Sequence, residues 1–173
     1  EGLEDHVYIL ENSSITLDFN VSDQDGTEIT MVLEGPDYVT LNFNSENNSG
    51  TIDIAPGYGA ESGLVVVTAT NSETEQESGF VSFMVNINHY PEISPSETVY
   101  MMEGESTSFD VSLTDSDDDA ISLALQSAPD YVTYTPYDDV SGQIEIVTSI
   151  GDESGDVVFT IEDDGSPPVS TTS

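Results

Sequence analysis

The sequence contains one segment twice, and this duplication constrains the fold more than any other feature. Most matching positions lie 92 residues apart. The matching motifs are Val7-Tyr8 with Val99-Tyr100, Pro36-Asp37-Tyr38-Val39-Thr40 with Pro129-Asp130-Tyr131-Val132-Thr133, and Glu61-Ser62-Gly63 with Glu153-Ser154-Gly155. Collinear matches of this kind indicate two copies of one structural unit. They predict two domains, residues 1–88 and 89–173.

Within each copy, apolar residues alternate with polar ones over short runs, and clusters of Gly, Pro, Asn, Asp and Ser separate the runs. This period of two is typical of half-buried β-strands. In the first copy it predicts strands near residues 14–22, 27–34, 50–55, 63–71 and 79–88, with counterparts in the second copy. About seven short strands per copy indicate an all-β chain of two tandem antiparallel β-sandwiches.

The second copy is expected to lack its last strand. Ser173 aligns with Val81, so nothing in this sequence corresponds to Phe83–Ile87. Two explanations remain open: the sequence is a fragment of a longer array, or the chain receives a strand from a neighbouring chain. We favour the fragment, because folded proteins avoid long uncovered apolar edges.

The charge balance restricts the partners of the chain. It carries 35 Asp and Glu residues, no Lys and no Arg, and a formal net charge of -35. Such a surface is a poor partner for nucleic acid or for an anionic membrane. Salt, bound metal or separation of the charges must relieve the self-repulsion. The absence of cysteine excludes disulfides and thiolate metal sites, so Ca²⁺ is the expected cross-link of an extracellular chain.

Two short acidic stretches lie between predicted strands at matching places in the copies. They are Asp23-Gln24-Asp25-Gly26 and Asp115-Ser116-Asp117-Asp118-Asp119. Aspartates at alternate positions of a turn place several oxygen atoms on one side of a tight loop, and oxygen is the ligand that Ca²⁺ requires. Two simpler interpretations stay open: good turn formers without a metal, or, for 117–119, a solvated run of charges.

Several of these motifs together resemble bacterial cadherin-like modules, in the dystroglycan-type or immunoglobulin-like form found in large surface proteins. The motifs are an acidic residue before the second strand, the Asp-x-Asp turn, the Pro-Asp-Tyr-Val corner and the Asn or Asp after the sixth strand. The resemblance implies immunoglobulin-like or cadherin-like sandwiches with Ca²⁺ sites at or near domain junctions. The implied ligands are Glu11, Asp23, Asp25 and Asn71 in copy one, and Glu103, Asp115, Asp117 and Asp163 in copy two.

Two further residues complete the candidate metal ligands. Asn88 lies in the linker between the copies, and Asp119 ends the acidic run of the second turn. Catalysis has little support, because the chain has no Cys, Lys or Arg, and His6 and His89 do not correspond in the two copies. Two interpretations of Tyr38 and Tyr131 stay open: a sugar-stacking platform, or a cap on the core with its hydroxyl at the surface. We favour the cap.

The sequence therefore predicts a non-catalytic structural module of an extracellular adhesin, cell-surface fibre or filament, stiffened by Ca²⁺. The expected partners are neighbouring repeats or identical subunits, joined in one version by strand addition, or carbohydrate. The alternative is a carbohydrate- or protein-binding module, which in one version is an appendage of a secreted enzyme that degrades polysaccharides.

Overall fold

A computed structural model describes residues 4–23, 26–71, 77–96 and 98–172. The chain forms two compact units, Glu1–Asn88 and His89–Ser173, called unit 1 and unit 2 below. The described residues form β-strands, turns and loops without a helix, which confirms the all-β fold. Accordingly, the described part of the chain has no helix long and apolar enough to cross a membrane.

Unit 1 contains seven strands arranged in two sheets. The strands are β1 (His6–Leu10), β2 (Ile15–Asn20), β3 (Ile29–Glu34), β4 (Val39–Asn44), β5 (Ser49–Ile54), β6 (Gly63–Asn71) and β7 (Glu77–Asn88). One sheet has the order β1-β7-β6-β3, and the other has the order β2-β5-β4. All five predicted strand ranges are occupied. The strand ranges predicted from the sequence did not include β1 or β4.

The core of unit 1 lies between its two sheets. Ile52 and Ile54 of β5 pack in one cluster with Val65 of β6 and with Phe83 and Val85 of β7, and each of these side chains is almost fully buried. Alternation along each strand turns these residues inward and their polar neighbours outward. Burying one such side chain contributes about 1.5–3 kcal/mol, so the sandwich depends on this cluster.

One pairing in unit 1 corrects the expectation of purely antiparallel sheets. Strand β1 runs parallel to β7, with His6 opposite Met84 and Leu10 opposite Asn88. The reason is the path of the chain, because after β1 it continues into β2, which belongs to the other sheet. Strand β1 therefore has no hairpin partner and pairs with the edge of β7 in the same direction.

Unit 2 also contains seven strands in two sheets. They are β8 (Glu92–Ser94), β9 (Ser106–Thr114), β10 (Ile121–Ser127), β11 (Val132–Pro136), β12 (Ser141–Val147), β13 (Val158–Asp163) and β14 (Val169–Thr172). The sheet orders are β11-β12-β9-β8 and β10-β13-β14. In the letters used for immunoglobulin domains these are sheets ABED and CFG, so unit 2 is an immunoglobulin-like sandwich.

The two units use corresponding residues in corresponding pairs. Ile29 lies opposite Asn71 in unit 1, and Ile121 lies opposite Asp163 in unit 2. A difference appears at the last strand. At the offset of 92, β14 corresponds to only the first four residues of β7, so unit 2 lacks the remainder of that strand within the described residues.

Candidate metal centre

The acidic turn of unit 2 connects β9 to β10 and is organised by one of its own side chains. Asp115 Oδ1 accepts hydrogen bonds from the backbone N–H of Asp117 at 2.8 Å and of Asp119 at 3.4 Å. Asp118 adopts a left-handed conformation with φ of 60°, which Asp tolerates better than most residues. Self-bonding of this type explains why an Asp-rich sequence turns sharply here.

The turn brings three of the predicted ligands together. Carboxylate oxygens of Asp115, Asp117 and Asp119 lie within 4.8 Å of one another. Asp115 Oδ2 is buried and has no hydrogen-bond partner among the described residues. A buried carboxylate oxygen without a donor is costly, because its lost hydration is not replaced. The turn therefore presents an oxygen atom that a cation could satisfy.

Two carboxylates from the end of β13 add to the negative field around the turn. Asp163 is 5% exposed and accepts a hydrogen bond from the Gly165 N–H at 2.6 Å. Asp164 accepts one from the Ala120 N–H at 2.9 Å, which ties this segment to the acidic turn. Burial, and then the charges of the surrounding carboxylates, raise the pKa of Asp119 above its ordinary value; those carboxylates are Asp163, Asp115, Asp117 and Asp164.

A histidine approaches the same turn from the start of unit 2. His89 Nδ1 lies 2.9 Å from both carboxylate oxygens of Asp117, and the His89 backbone N–H donates to Asp117 Oδ2 at 2.7 Å. The His89 side chain is 14% exposed and that of Asp117 is 23% exposed. In a chain without Lys or Arg, this histidine is positioned to neutralise one carboxylate when it is protonated. No local sequence pattern indicates this contact, because the two residues are separated by 28 positions.

The corresponding place in unit 1 is built differently. The Asn71 side-chain amide donates to Thr27 Oγ1 at 2.6 Å and to Asp23 Oδ2 at 3.5 Å. Asp25 lies outside the described residues. Within the described ranges, Asp115, Asp117 and Asp119 form the single group of three metal-ligating side chains that converge. The first copy therefore brings Asp23 and Asn71 together, with a neutral amide where unit 2 has the carboxylate of Asp163.

The structure separates Glu11 and Asn88 from the acidic turn of unit 1. Glu11 is 1% exposed; its backbone N–H donates to the Asn88 carbonyl at 2.9 Å, and its Oε2 accepts from the Gly59 N–H at 2.9 Å. Asn88 ends β7, whereas Asn71 lies beside the start of β7. The 12 residues of β7 span roughly 35 Å at about 3.3 Å per residue. This corrects the expected grouping of Glu11 with Asp23 and Asn71.

Unit 2 separates its matching acidic residue in the same way. Glu103 is exposed, and its Oε1 accepts a hydrogen bond from the Gly151 N–H at 3.1 Å, as Glu11 does from Gly59. Glu103 precedes β9 and Asp115 follows it, so the nine residues of that strand place them roughly 30 Å apart. Glu103 is therefore separated from Asp115, Asp117 and Asp163, with which it was expected to group. Both glutamates instead fix a loop at the other end of the sandwich.

The Pro-Asp-Tyr-Val corner confirms the prediction of a core cap. Tyr38 is half-buried and packs against the core of unit 1, and its hydroxyl donates to the Glu61 carbonyl at 2.8 Å. Tyr131 makes the same bond to the Glu153 carbonyl at 2.8 Å. Gly63 is required here, because a Cβ atom on it would lie 2.5 Å from Pro36 Cγ. The Glu-Ser-Gly motif is thus duplicated together with the corner because the two segments pack on each other.

The donor set of the acidic turn suits Ca²⁺ better than a softer metal. Its side chains offer carboxylate oxygens alone, and Ca²⁺ takes six to eight oxygen ligands at about 2.3–2.6 Å. Asp115 Oδ1 is occupied by backbone N–H groups and Oδ2 is not, so the oxygen that remains is the buried one. Three carboxylates do not complete the shell, and the remaining ligands would come from Asp163, backbone carbonyls or water.

Comparison with known proteins does not assign the chain to a family. No family profile matches the sequence, and no curated protein matches it. Among solved structures, the chain is similar to the ectodomain of the teleost fish polymeric Ig receptor, at 10% identity and a TM-score of 0.39. That alignment covers 98% of this chain and 94% of the other. By the strand order of its own units, the chain is a tandem of two immunoglobulin-like β-sandwiches.

Proposed function

We propose that the chain is a non-catalytic structural module of an extracellular surface protein, fibre or filament, related to cadherin-like repeats and stiffened by Ca²⁺. The observation that carries this proposal is the convergence of Asp115, Asp117 and Asp119 around a buried carboxylate oxygen that has no hydrogen-bond partner. The net charge of -35 without Lys or Arg adds a general reason, because a divalent cation relieves repulsion that no side-chain ammonium or guanidinium can relieve.

A cation at this turn would stiffen unit 2 through the strands that meet there. The turn follows β9, precedes β10 and is joined to the end of β13 by the Asp164 hydrogen bond. These strands belong to both sheets of unit 2, so a ligand shared by their ends opposes separation of the sheets. Binding to the folded unit alone stabilises it by mass action, by about 2.7 kcal/mol at one hundred times the dissociation constant.

The proposed location outside the cell agrees with the chemistry of the site. Extracellular Ca²⁺ modules bind with dissociation constants of about 10⁻⁴–10⁻³ M, which an incomplete and partly exposed ligand shell can provide. The carboxylates lie in a tight turn, and backbone N–H groups hold those of Asp115 and Asp117. This arrangement suits the binding of an ion better than general acid–base work on a substrate.

The proposal is tested by titrating the intact chain with Ca²⁺ in a calorimeter and by following its thermal unfolding. We expect saturable binding in the millimolar range or tighter, and a rise in the melting temperature of unit 2 well beyond that in NaCl of matched ionic strength. The sodium control measures screening alone, since the Debye length is about 8 Å at physiological strength. Equal melting curves in the two salts would show that Ca²⁺ acts by screening alone, and they would contradict the proposed Ca²⁺ site.

A further inference from the structure

The sheet β2-β5-β4 of unit 1 carries an open hollow of about 550 Å³, called the polar hollow below. Phe19 packs against the core of unit 1, and Phe43 stacks on Phe19 with ring centroids 6.2 Å apart. Because side chains alternate along a strand, these two residues and Gly50 between them contribute backbone to the floor of the hollow. The residues on either side of them face outward and form its walls, and all of these are polar: Asp18, Asn20, Asn42, Asn44, Ser49 and Thr51.

Two hydrogen-bond acceptors of the polar hollow are held in place and remain open. The Asn42 side-chain amide donates to Asp53 Oδ2 at 2.7 Å and to Thr51 Oγ1 at 3.3 Å, which fixes its orientation. Among the described residues, none donates a hydrogen bond to the Asn42 amide oxygen or to the Asp18 carboxylate, and both residues are exposed. Acceptors arranged in this way suit a ligand that brings hydroxyl donors.

Unit 2 fills the corresponding place with one of its own side chains. Tyr137 corresponds to Asn44, because each comes directly after the residue that pairs with the glycine shared by the two copies. The Tyr137 hydroxyl donates to Asp110 Oδ1 at 2.9 Å, and Asp110 corresponds to Asp18. Strand β12 lies between β11, which ends just before Tyr137, and β9, which carries Asp110. The tyrosine ring therefore crosses the outer face of this sheet.

Asn44 does not cross the sheet of unit 1 in this way. Its side-chain oxygen accepts a hydrogen bond from the Glu46 N–H at 2.9 Å, which keeps it in its own turn. The polar hollow is thus the space that the Tyr137 ring takes in unit 2, and its carboxylate is the one that Tyr137 satisfies there. The duplicated unit shows which chemistry fits this space, namely a ring whose hydroxyl group donates to a carboxylate.

We propose that the polar hollow binds a neutral saccharide, with one pyranose ring in the place that the Tyr137 ring takes in unit 2. A sugar hydroxyl donates to Asp18, and further hydroxyls meet the amide and hydroxyl groups of the walls, which both donate and accept. The volume lies within the range of about 300–1,000 Å³ of small-molecule sites. Asp18 and the net charge of -35 repel phosphate, sulfate and uronate groups, so the ligand is an uncharged sugar.

The test is an NMR titration of the intact, isotope-labelled chain with soluble neutral oligosaccharides of glucose, mannose, galactose and xylose. Chelator is present, so that the outcome does not depend on the proposed Ca²⁺ site. We expect at least one series to shift the backbone amide resonances of residues 18–20, 42–44 and 49–51. The matching residues 110–112, 135–137 and 141–143 should stay unchanged, because Tyr137 fills their site. An oligogalacturonate of the same length should cause no shift.

Two substitutions at one position make the result specific. Asn44→Tyr gives unit 1 the side chain that fills the site in unit 2, and it should abolish the saccharide-induced shifts. Asn44→Ser keeps an oxygen for the Glu46 N–H and leaves the hollow open, so it should bind as the unchanged chain does. Asp18→Asn removes the charged acceptor and should weaken binding by about tenfold or more.

Thermal unfolding of each variant shows whether unit 1 keeps its fold, which exposed substitutions of this kind should not alter. The proposal would be overturned if none of the four series shifted the resonances of the polar hollow. It would also be overturned if the shifts persisted in Asn44→Tyr, if Asp18→Asn bound with unchanged affinity, or if the shifts lay elsewhere in the chain.

Discussion

Replacing Asp119 by asparagine should have opposite effects on unit 2 without and with Ca²⁺. The carboxylate of Asp119 lies within 4.8 Å of those of Asp115 and Asp117, and among the described residues none donates a hydrogen bond to it. Asp119→Asn therefore removes a repelling charge of the metal-free turn without breaking a bond. With Ca²⁺ present, the same change removes a charged ligand.

The size of the first effect follows from the distance between the charges. Two unit charges 4.8 Å apart repel by about 1 kcal/mol in water and by about 3.5 kcal/mol at an effective dielectric constant of 20. Because the turn is half-exposed and screened by salt, we expect the lower end, about 1 kcal/mol. A domain of this size gains roughly 4–8 °C in melting temperature for each kcal/mol.

The expected stabilisation by Asp119→Asn agrees in sign with the raised pKa of Asp119. Burial raises this pKa, and the acidic neighbours raise it further. A carboxyl group whose folded-state pKa is raised binds protons more strongly in the folded unit. The free energy of unfolding therefore falls as pH rises from the unfolded pKa through the folded one, and at neutral pH the full penalty is present. The asparagine variant should lack this loss.

The assay compares Asp119→Asn with Asp118→Asn, which makes the same charge change in the same turn. Asp118 is exposed, lies outside the converging group, and has a left-handed φ that asparagine tolerates. Peptide-resolved hydrogen exchange in β9, β10 and β13 reports on unit 2 alone, in chelator and in millimolar Ca²⁺. We expect Asp119→Asn to stabilise in chelator and to lose most of the Ca²⁺ gain, and Asp118→Asn to change either value by less than about 0.5 kcal/mol. Destabilisation by Asp119→Asn in chelator, or equal behaviour of the two variants, would refute the reasoning.

Three further predictions concern the scaffold. Phe83→Ala should lower the free energy of unfolding of unit 1 by about 3–5 kcal/mol in chemical denaturation, because Phe83 is 1% exposed, whereas Phe80→Ala, at 69% exposed, should have little effect. Gly63→Ala should destabilise unit 1 by about 1–3 kcal/mol through overlap at the tyrosine corner, whereas Gly57→Ala, with open space around it, should not. The Ser141 hydroxyl, and then the Val140 backbone N–H, donate hydrogen bonds to Asp138 and lower its pKa. The contribution of Asp138 to stability is therefore lost as pH falls through that lowered pKa. Titration followed by carboxyl NMR should find the pKa below about 3.8, and an ordinary or raised value would contradict this.

Features within one turn or one strand were accessible from the sequence. Alternation predicted the strands because burial on one face of a sheet imposes a period of two. The spacing of Asp115, Asp117 and Asp119 predicted their convergence because a turn is local and needs no knowledge of the topology. The duplicated Pro-Asp-Tyr-Val corner predicted a packing role, which the Tyr38 contact with Glu61 confirms.

Features that depend on topology were less accessible, and one error was avoidable. The alternating run of β2 lies between Glu11 and Asp23, and a strand between two residues places them at opposite ends of it. The same alternation that predicted β2 therefore argued against placing Glu11 and Asp23 in one site. The contact of His89 with Asp117 had no such signal, because it depends on where the start of unit 2 lies relative to a turn far along the chain.

The duplication also makes unit 1 a reference for unit 2. Residues 98–102 and 155–157 retain apolar residues at positions that are strands in unit 1, including Val99 and Val157. Their sequences are thus compatible with strand structure, and what differs is that no strand among the described residues of unit 2 pairs with them as β7 pairs with their counterparts. A strand needs its ladder hydrogen bonds as well as its pattern, so local sequence alone predicts strand structure that these segments do not adopt.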